Sequence, residues 1–259
     1  MTEPKRNFLR IALITDLHTG SPTDAPFNVD LRKNFLSVLR GLQSHDPDCL
    51  IIGGDLCLLD GDLEIYQWQK QHIDSLDLPY YLIAGNHDEP TLLAKVFDHL
   101  PRLTERELYY QILIGRFRFL FLDTSHGRLS GQQKEWLKEN LAKSIEFRAI
   151  FMHHPPDVMH IPYMDSKYSL QDRDEVMHIL KSADKQIEIF CGHYHVEKTV
   201  SLDQINVHIT PSCYFQVDGD TDEFRIDHQN IAYRIIDFHQ DRIEHEIHYL
   251  PGNLISDSG

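Results

Sequence analysis

The chain has 259 residues, with 25 Lys and Arg against 40 Asp and Glu, for a formal charge of −15. That balance speaks against a sequence-independent grip on DNA or RNA, which needs Lys and Arg on the phosphates. It leaves room for a small phosphorylated substrate, because bound cations reverse the local field.

Phe8–Ile14 reads as a first strand, and Leu31–Leu42 as a helix with Leu31, Phe35, Val38, Leu39 and Leu42 on one face. Cys49–Ile52 and Tyr80–Ala84 read as strands, with Gly61–Leu76 and Thr91–His99 as helices. Strands are expected at Phe117–Leu122, Ala149–Met152 and Ile187–Phe190, with helices Gly131–Lys143 and Asp172–Ala183 between them. These short apolar runs suit strands buried on both faces. Alternating β and α implies a mostly parallel sheet with helices outside it. The last third changes character. Val207–Thr210, Ile231–Phe238 and Ile243–Tyr249 read as strands, the final two forming a hairpin around Gln240 and Asp241. Ser21–Asp30 and Pro155–Leu170 are expected to be irregular and to rim a site.

No linker or repeat divides the chain, so one domain over 1–259 is expected. Cys49, Cys57, Cys191 and Cys213 form no CxxC pair and read as reduced, buried thiols. No run approaches the roughly 18 apolar residues of a membrane span, and the apolar stretch after Arg10 is too short for a signal peptide. The expected location is cytoplasmic.

Chemistry concentrates in five segments, each after a predicted strand: Asp16 and His18; Asp55; Asn86, His87 and Asp88; His153 and His154; His193 and His195. Side chains at i and i+2 share a face, so Asp16 with His18, and His193 with His195, can each reach one cation. Alone, each pair reads equally well as a loop Asp or a surface His. Asp55 ends a Gly-Gly-Asp strand terminus, and its two oxygens can bridge two cations. Asn86 can offer a neutral oxygen, leaving His87 free to donate a proton to a leaving group. The competing reading of Asn86 to Asp88 is a helix cap ahead of Pro90. His153 and His154 point opposite ways on a strand, and His153 is the favoured ligand, with His154 towards substrate or behind the ligands. Together the five segments suit two divalent cations of the Mn, Fe, Co and Zn group, with no thiolate needed.

In this order the segments resemble the calcineurin-like metallophosphoesterase superfamily, over residues 16–195. Within it the chain looks most like bacterial class III cyclic-nucleotide phosphodiesterases and related glycerophosphodiesterases. The softer support comes from His153-His-Pro-Pro156, the segment Leu122-Asp-Thr before Gly131–Leu137, and Pro211-Ser with Phe215-Gln216. The acidic stretch Asp218–Gln229 has no counterpart in that pattern and counts against an anionic substrate if it borders the pocket.

The resemblance implies an α/β/β/α sandwich of two mixed sheets flanked by helices. It implies Asp16, His18 and His195 on a first metal, and Asn86, His153 and His193 on a second, with Asp55 bridging. Asn86, His87, His154 and His195 would meet the substrate. It further implies in-line attack on a phosphodiester by a hydroxide shared between the metals, with 3′,5′-cyclic AMP the leading substrate. Glycerophosphodiesters, or a broad range of phosphoesters, are the alternative. A nuclease fits the charge poorly, and a metal-free scaffold fits poorly with every ligand position filled. A homodimer is a modest expectation.

Overall fold

The computed structural model describes residues 6–143 and 147–255. Among the described residues there are thirteen strands and six α-helices, the helices all falling before Ser182 and the last seven strands following one another. The first sheet takes β1 (Leu9–Ile14), β2 (Cys49–Ile52), β3 (Tyr80–Leu82), β12 (Ile231–Phe238) and β13 (Ile243–Leu250), in the order β13-β12-β1-β2-β3. The second takes β4 (Tyr110–Ile114), β5 (Phe117–Phe121), β6 (Ala149–Phe151), β7 (Ile187–Cys191), β8 (Lys198–Leu202) and β9 (Ile205–Ile209), in the order β4-β5-β6-β7-β9-β8. Inner pairs such as β1–β2 and β6–β7 are parallel, while β12, β13, β4 and β8 join antiparallel. The sheets are therefore mixed, as expected.

The sheets face each other across an aromatic layer. The Phe119 ring lies 4.8 Å from Phe238 of the opposite sheet. Phe121, Phe151 and Phe190 stack in series at 5.2 and 5.6 Å. Helices cover the outer faces. On the first sheet lie α1 (Leu31–Gln43), α2 (Leu63–Asp74) and α3 (Pro90–Val96), burying Phe35, Leu39, Ile73 and Leu93. On the second lie α4 (Gly131–Ala142) and α6 (Arg173–Lys181), burying Leu137, Val176 and Leu180 against Leu120, Ile150 and Ile189. Asp30, Asp62 and Ser130 accept the free amides that open α1, α2 and α4. No helix of the described residues is long and apolar enough to cross a membrane.

The predicted elements are all present, most of them trimmed at their ends. β3 stops at Leu82, although Ile83 N still donates to Ile52 O of β2 at 3.1 Å, and Ile83 and Ala84 stay buried. Two edge strands went unread, β4 and β8. Burial alternates along both; β8 turns Thr199 and Ser201 to its open face, and β4 turns out Gln111 and Leu113. Pro155–Leu170, expected to be irregular, contains the short helix α5 (Pro162–Lys167), opened by its own proline. The acidic stretch folds back as a two-stranded ribbon of β10 (Gln216–Val217) and β11 (Ile226–His228). All four cysteines are free and buried.

A candidate metal centre and its pocket

The parallel strands β1, β2 and β3 end on the same side as β6 and β7, and each hands one motif to the space beyond its carboxyl end. The loops are stitched together there. Asp16 N donates to Gly54 O and His18 N to Asp55 O, both at 3.0 Å, and Gly192 N donates to His153 O at 3.1 Å. Asp16, His18, Asp55, His193 and His195 all have left-handed backbones, with φ between 42° and 67°. Such conformations cost on the order of 1–3 kcal/mol each in non-glycine residues and persist where the surroundings force them. Glycines make the close approach feasible. A Cβ at Gly192 would collide with Thr15 Oγ1 and the Asp16 carboxylate, and one at Gly85 with the Asp55 carboxylate.

Asp55 is the centre of the arrangement. Its Oδ2 lies 3.7 Å from His18 Nε2 and 3.3 Å from His153 Nε2. On one side Asp16, His18 and His195 converge, with His18 and His195 Nε2 atoms 3.0 Å apart and His195 Nε2 3.3 Å from Asp16 Oδ1. On the other, His153 and His193 converge on the same Asp55. Backbone carbonyls orient the rings from behind: Gly53 O on His153 Nδ1, Phe215 O on His195 Nδ1 and Tyr168 O on His193 Nε2. The nitrogens left facing inward are therefore Nε2 of His153 and His195 and Nδ1 of His193. Burial holds His18 at about 3 and His193 at about 4, neutral and able to give a lone pair. Burial also pulls His153 down, but the facing Asp55 outweighs it and raises the ring to about 9. Two buried carboxylates thus demand positive charge at this point.

Asn86 and His87 stand on the pocket wall rather than under it. His87 N donates to Asp55 Oδ1 at 2.9 Å, and its Nδ1 meets Leu59 O at 2.6 Å. The cap reading of this segment is overturned: Glu89 caps α3, accepting from Leu92 N. Asp88 instead receives Leu56 N, Gly85 N and the Tyr66 hydroxyl, tying the Asp55 loop to the Asn86 loop. Burial and the nearby Asp55 push Asp88 up to about 6.

His154 lies elsewhere than a substrate contact requires. It is buried, bonded to Thr124 Oγ1 at 2.9 Å, and packed 4.0 Å behind the His193 ring, outside the pocket lining. Both histidines lie in the bend beyond β6, which ends at Phe151, and not on the strand itself as expected; the bend turns His153 to Asp55 and His154 to Thr124.

Sequence reading missed Thr15, whose hydroxyl donates to Asp16 Oδ2 at 2.9 Å, and the Tyr168 carbonyl behind His193. A backbone carbonyl leaves no mark in residue type. Above the cluster lies a pocket of about 390 Å³, walled by Phe27, Tyr163, Tyr168, Tyr214, Phe215 and Phe224, the first three from the stretches Ser21–Asp30 and Pro155–Leu170 that were expected to rim a site.

Residues 9–197 match the model of the calcineurin-like phosphoesterase family. The chain belongs to this family. The phosphoesterase is 30% identical over 245 residues to a probable cyclic nucleotide phosphodiesterase of Fibrobacter succinogenes, covering 95% of each chain. It is 27% identical over 254 residues to the 3′,5′-cyclic adenosine monophosphate phosphodiesterase of Escherichia coli K12, covering 93% of this chain and 90% of that one. It is 28% identical over 218 residues to a probable glycerophosphodiester phosphodiesterase of Arcobacter nitrofigilis, covering 80% of this chain and 79% of that one. In fold it resembles a dimetal phosphatase from Danio rerio, with TM-score 0.69 at 14% identity over 96% of this chain and 99% of that one.

The residues of this metallophosphoesterase fit a pair of divalent cations. Among the described residues His153 Nε2 is buried without a hydrogen-bond partner, and it faces Asp55. The donor set is imidazole and carboxylate in the neutral and anionic forms that such cations take.

Proposed function

We propose that this phosphoesterase hydrolyses a small phosphodiester, with 3′,5′-cyclic AMP the leading substrate. One observation carries the reading: a single carboxylate, Asp55, lies within ligand reach of His153 and His193 on one side and of His18 and His87 on the other, and lines one pocket with His18, His87 and His193. In this reading Asp16, His18 and His195 hold one cation, Asn86, His153 and His193 hold the other, and Asp55 bridges them. The bound pair supplies charge neutralisation at the phosphoryl oxygens and a water of lowered pKa.

The chain's own groups do the rest. Leu59 O accepts from His87 Nδ1, which leaves Nε2 as the exchangeable nitrogen of that ring. As an imidazolium, His87 gives its proton to the departing oxygen. The three backbone carbonyls behind His153, His193 and His195 take up one nitrogen of each ring, so that with cations bound the inward nitrogens would be the ones to offer lone pairs. Thr15 and the His193 amide hold the Asp16 carboxylate, at 2.9 Å each to Oδ2. The aromatic walls exclude water around the ester.

The curated relatives named for cyclic nucleotides support this substrate. The relative named for glycerophosphodiesters supports the second reading, cleavage of a glyceryl diester at the same centre. The test is hydrolysis by purified, Mn²⁺-loaded protein of cyclic AMP, glycerophosphocholine and a generic aryl diester, side by side. Preference for cyclic AMP upholds the leading reading, preference for glycerophosphocholine upholds the second, and hydrolysis of none overturns both.

A further inference from the structure

Water-exposed aromatic rings are costly, and three large ones surround this one pocket. Phe27 is 52% exposed, Tyr168 47% and Phe224 45%. Phe27 and Phe224 come from segments 197 residues apart (224 − 27), yet their ring centroids lie 6.1 Å apart at 42°. Each also leans on Phe215, at 5.6 and 5.9 Å. Phe215 in turn packs on His195, at 5.0 Å, so the aromatic cluster runs continuously from the mouth to the metal cluster.

Both phenylalanines are held out at the mouth by unusual means. Phe27 and Asn28 have φ of 57° and 60°, a backbone that bulky side chains avoid. The strain is pinned from two sides. Gln229 Nε2 donates to Phe27 O at 3.0 Å, and the carboxyl-terminal residues pair with the loop through Asp30 N to Asn253 O and Ile255 N to Asn28 O, both 2.8 Å. Phe224 sits on the turn between β10 and β11. That turn is closed by the Asp218–Arg225 ion pair and docked to α5 by Tyr163 N on Thr221 O, at 3.2 Å.

Charge narrows what such a mouth can take. No Lys or Arg is among the described residues lining the pocket. From the acidic stretch only Phe224 lines it. Asp218 is paired with Arg225, and Asp220, Asp222 and Glu223 point to solvent. Beyond the scissile phosphate the walls therefore offer ring faces and no site for further negative charge. A pocket of this size, mostly aromatic, is suited to a flat uncharged ring.

We propose that Phe27 and Phe224, in contact with each other, form one joined aromatic clamp face that selects phosphodiesters by stacking against a planar, uncharged aromatic group, a nucleobase, attached to the ester being cut. The inference rests on the phosphodiesterase reading and adds the residues that choose its substrate. The acidic stretch, which looked hostile to a nucleotide, becomes the carrier of half that face, and its carboxylates turn away multiply phosphorylated and polymeric ligands.

The experiment compares 3′,5′-cyclic AMP with the same ribose cyclic phosphate bearing a methoxy group in place of adenine, on Mn²⁺-loaded full chain. The readout is the ratio of their kcat/KM values. In the unaltered protein the ratio is expected to be at least tenfold, and base–aromatic stacking supports roughly that factor per ring. In Phe27→Ala, Phe224→Ala and the double variant the ratio should fall towards one, mainly through KM for cyclic AMP. Phe224→Tyr should restore it, which a loss of folding would not. A ratio near one in the unaltered protein, or one that the alanine variants leave in place, overturns the clamp while the phosphodiesterase reading stands. Cleavage of an aryl diester with both cyclic phosphates ignored does the same. Hydrolysis of none of the three overturns the reading beneath it and the clamp with it.

Discussion

A second polar cluster lies between the same two sheets, made by Glu188 of β7, His208 of β9, Arg234 of β12 and His245 of β13. Its chemistry looks similar to that of the metal cluster, and its wiring is opposite. His208 is bonded at both ring nitrogens, to Thr199 Oγ1 at 3.1 Å and Glu188 at 2.8 Å. Arg234 donates to Thr210 Oγ1, Ile209 O and His245 Nδ1. None of these four residues has a left-handed backbone. Around Asp55, by contrast, the backbone is strained, the Nε2 atoms of His18 and His195 face each other at 3.0 Å, and the buried His153 Nε2 meets the Asp55 carboxylate at 3.3 Å but outside hydrogen-bond geometry. A chain with 17 histidines therefore marks its metal centre by unmet demand for a cation and not by imidazole count.

The contrast breaks most visibly at Asp55. Asp55→Ala should lose bound metal and more than ~10²-fold of the rate, beyond what an orienting partner usually costs. Elemental analysis alongside kinetics would check this, and a metal-replete, active variant would separate the two ligand sets. Next, His87→Ala should keep its metal and lose about 10²–10⁴-fold in kcat. Depleted metal in that protein would move His87 into the ligand set.

The satisfied cluster should answer differently. Arg234→Met leaves buried acceptors without a donor, so about 1–3 kcal/mol of stability should go, with Tm falling while metal content and kcat hold. Metal loss there would show the two clusters to be coupled. The smallest effect concerns Glu188. Burial would raise its pKa, but His208 and Asn206 outweigh that and hold it below the ordinary glutamate value. A lowered carboxylate pKa adds stability above the unfolded value and loses it as pH falls through the folded one. Thermal melts from pH 6 down to pH 3 should therefore show a shallower decline for Glu188→Gln, by about 1 kcal/mol or less. Parallel curves would remove Glu188 from the account.

Much of this was legible in the residues. The seven proposed ligands follow strand-like runs, and glycine beside Asp55, Asn86 and His193 announces close packing. What stayed hidden depends on partners far away in sequence. The edge strand β8 looks polar because one face is open. Phe27 and Phe224 are unremarkable in their own segments, and only folding brings them together. His154 repeats the type of His153, and nothing local says which ring turns to the metals and which to Thr124.

Strand order has one more consequence. Leu9–Ile14 lies inside its sheet only because Ile231–Phe238 pairs along one side of it, from Leu9 with Phe238 to Leu13 with Arg234. A ribosome that has released every ligand, through His195, still holds back the strand that covers that side. Until then the chain presents the apolar run Leu-Arg-Ile-Ala-Leu-Ile with one row of amides and carbonyls open to any passing strand. So late a closing contact makes folding slow and leaves the nascent protein open to aggregation. Translation stalled before residue 231 should yield insoluble polypeptide, however complete its chemistry.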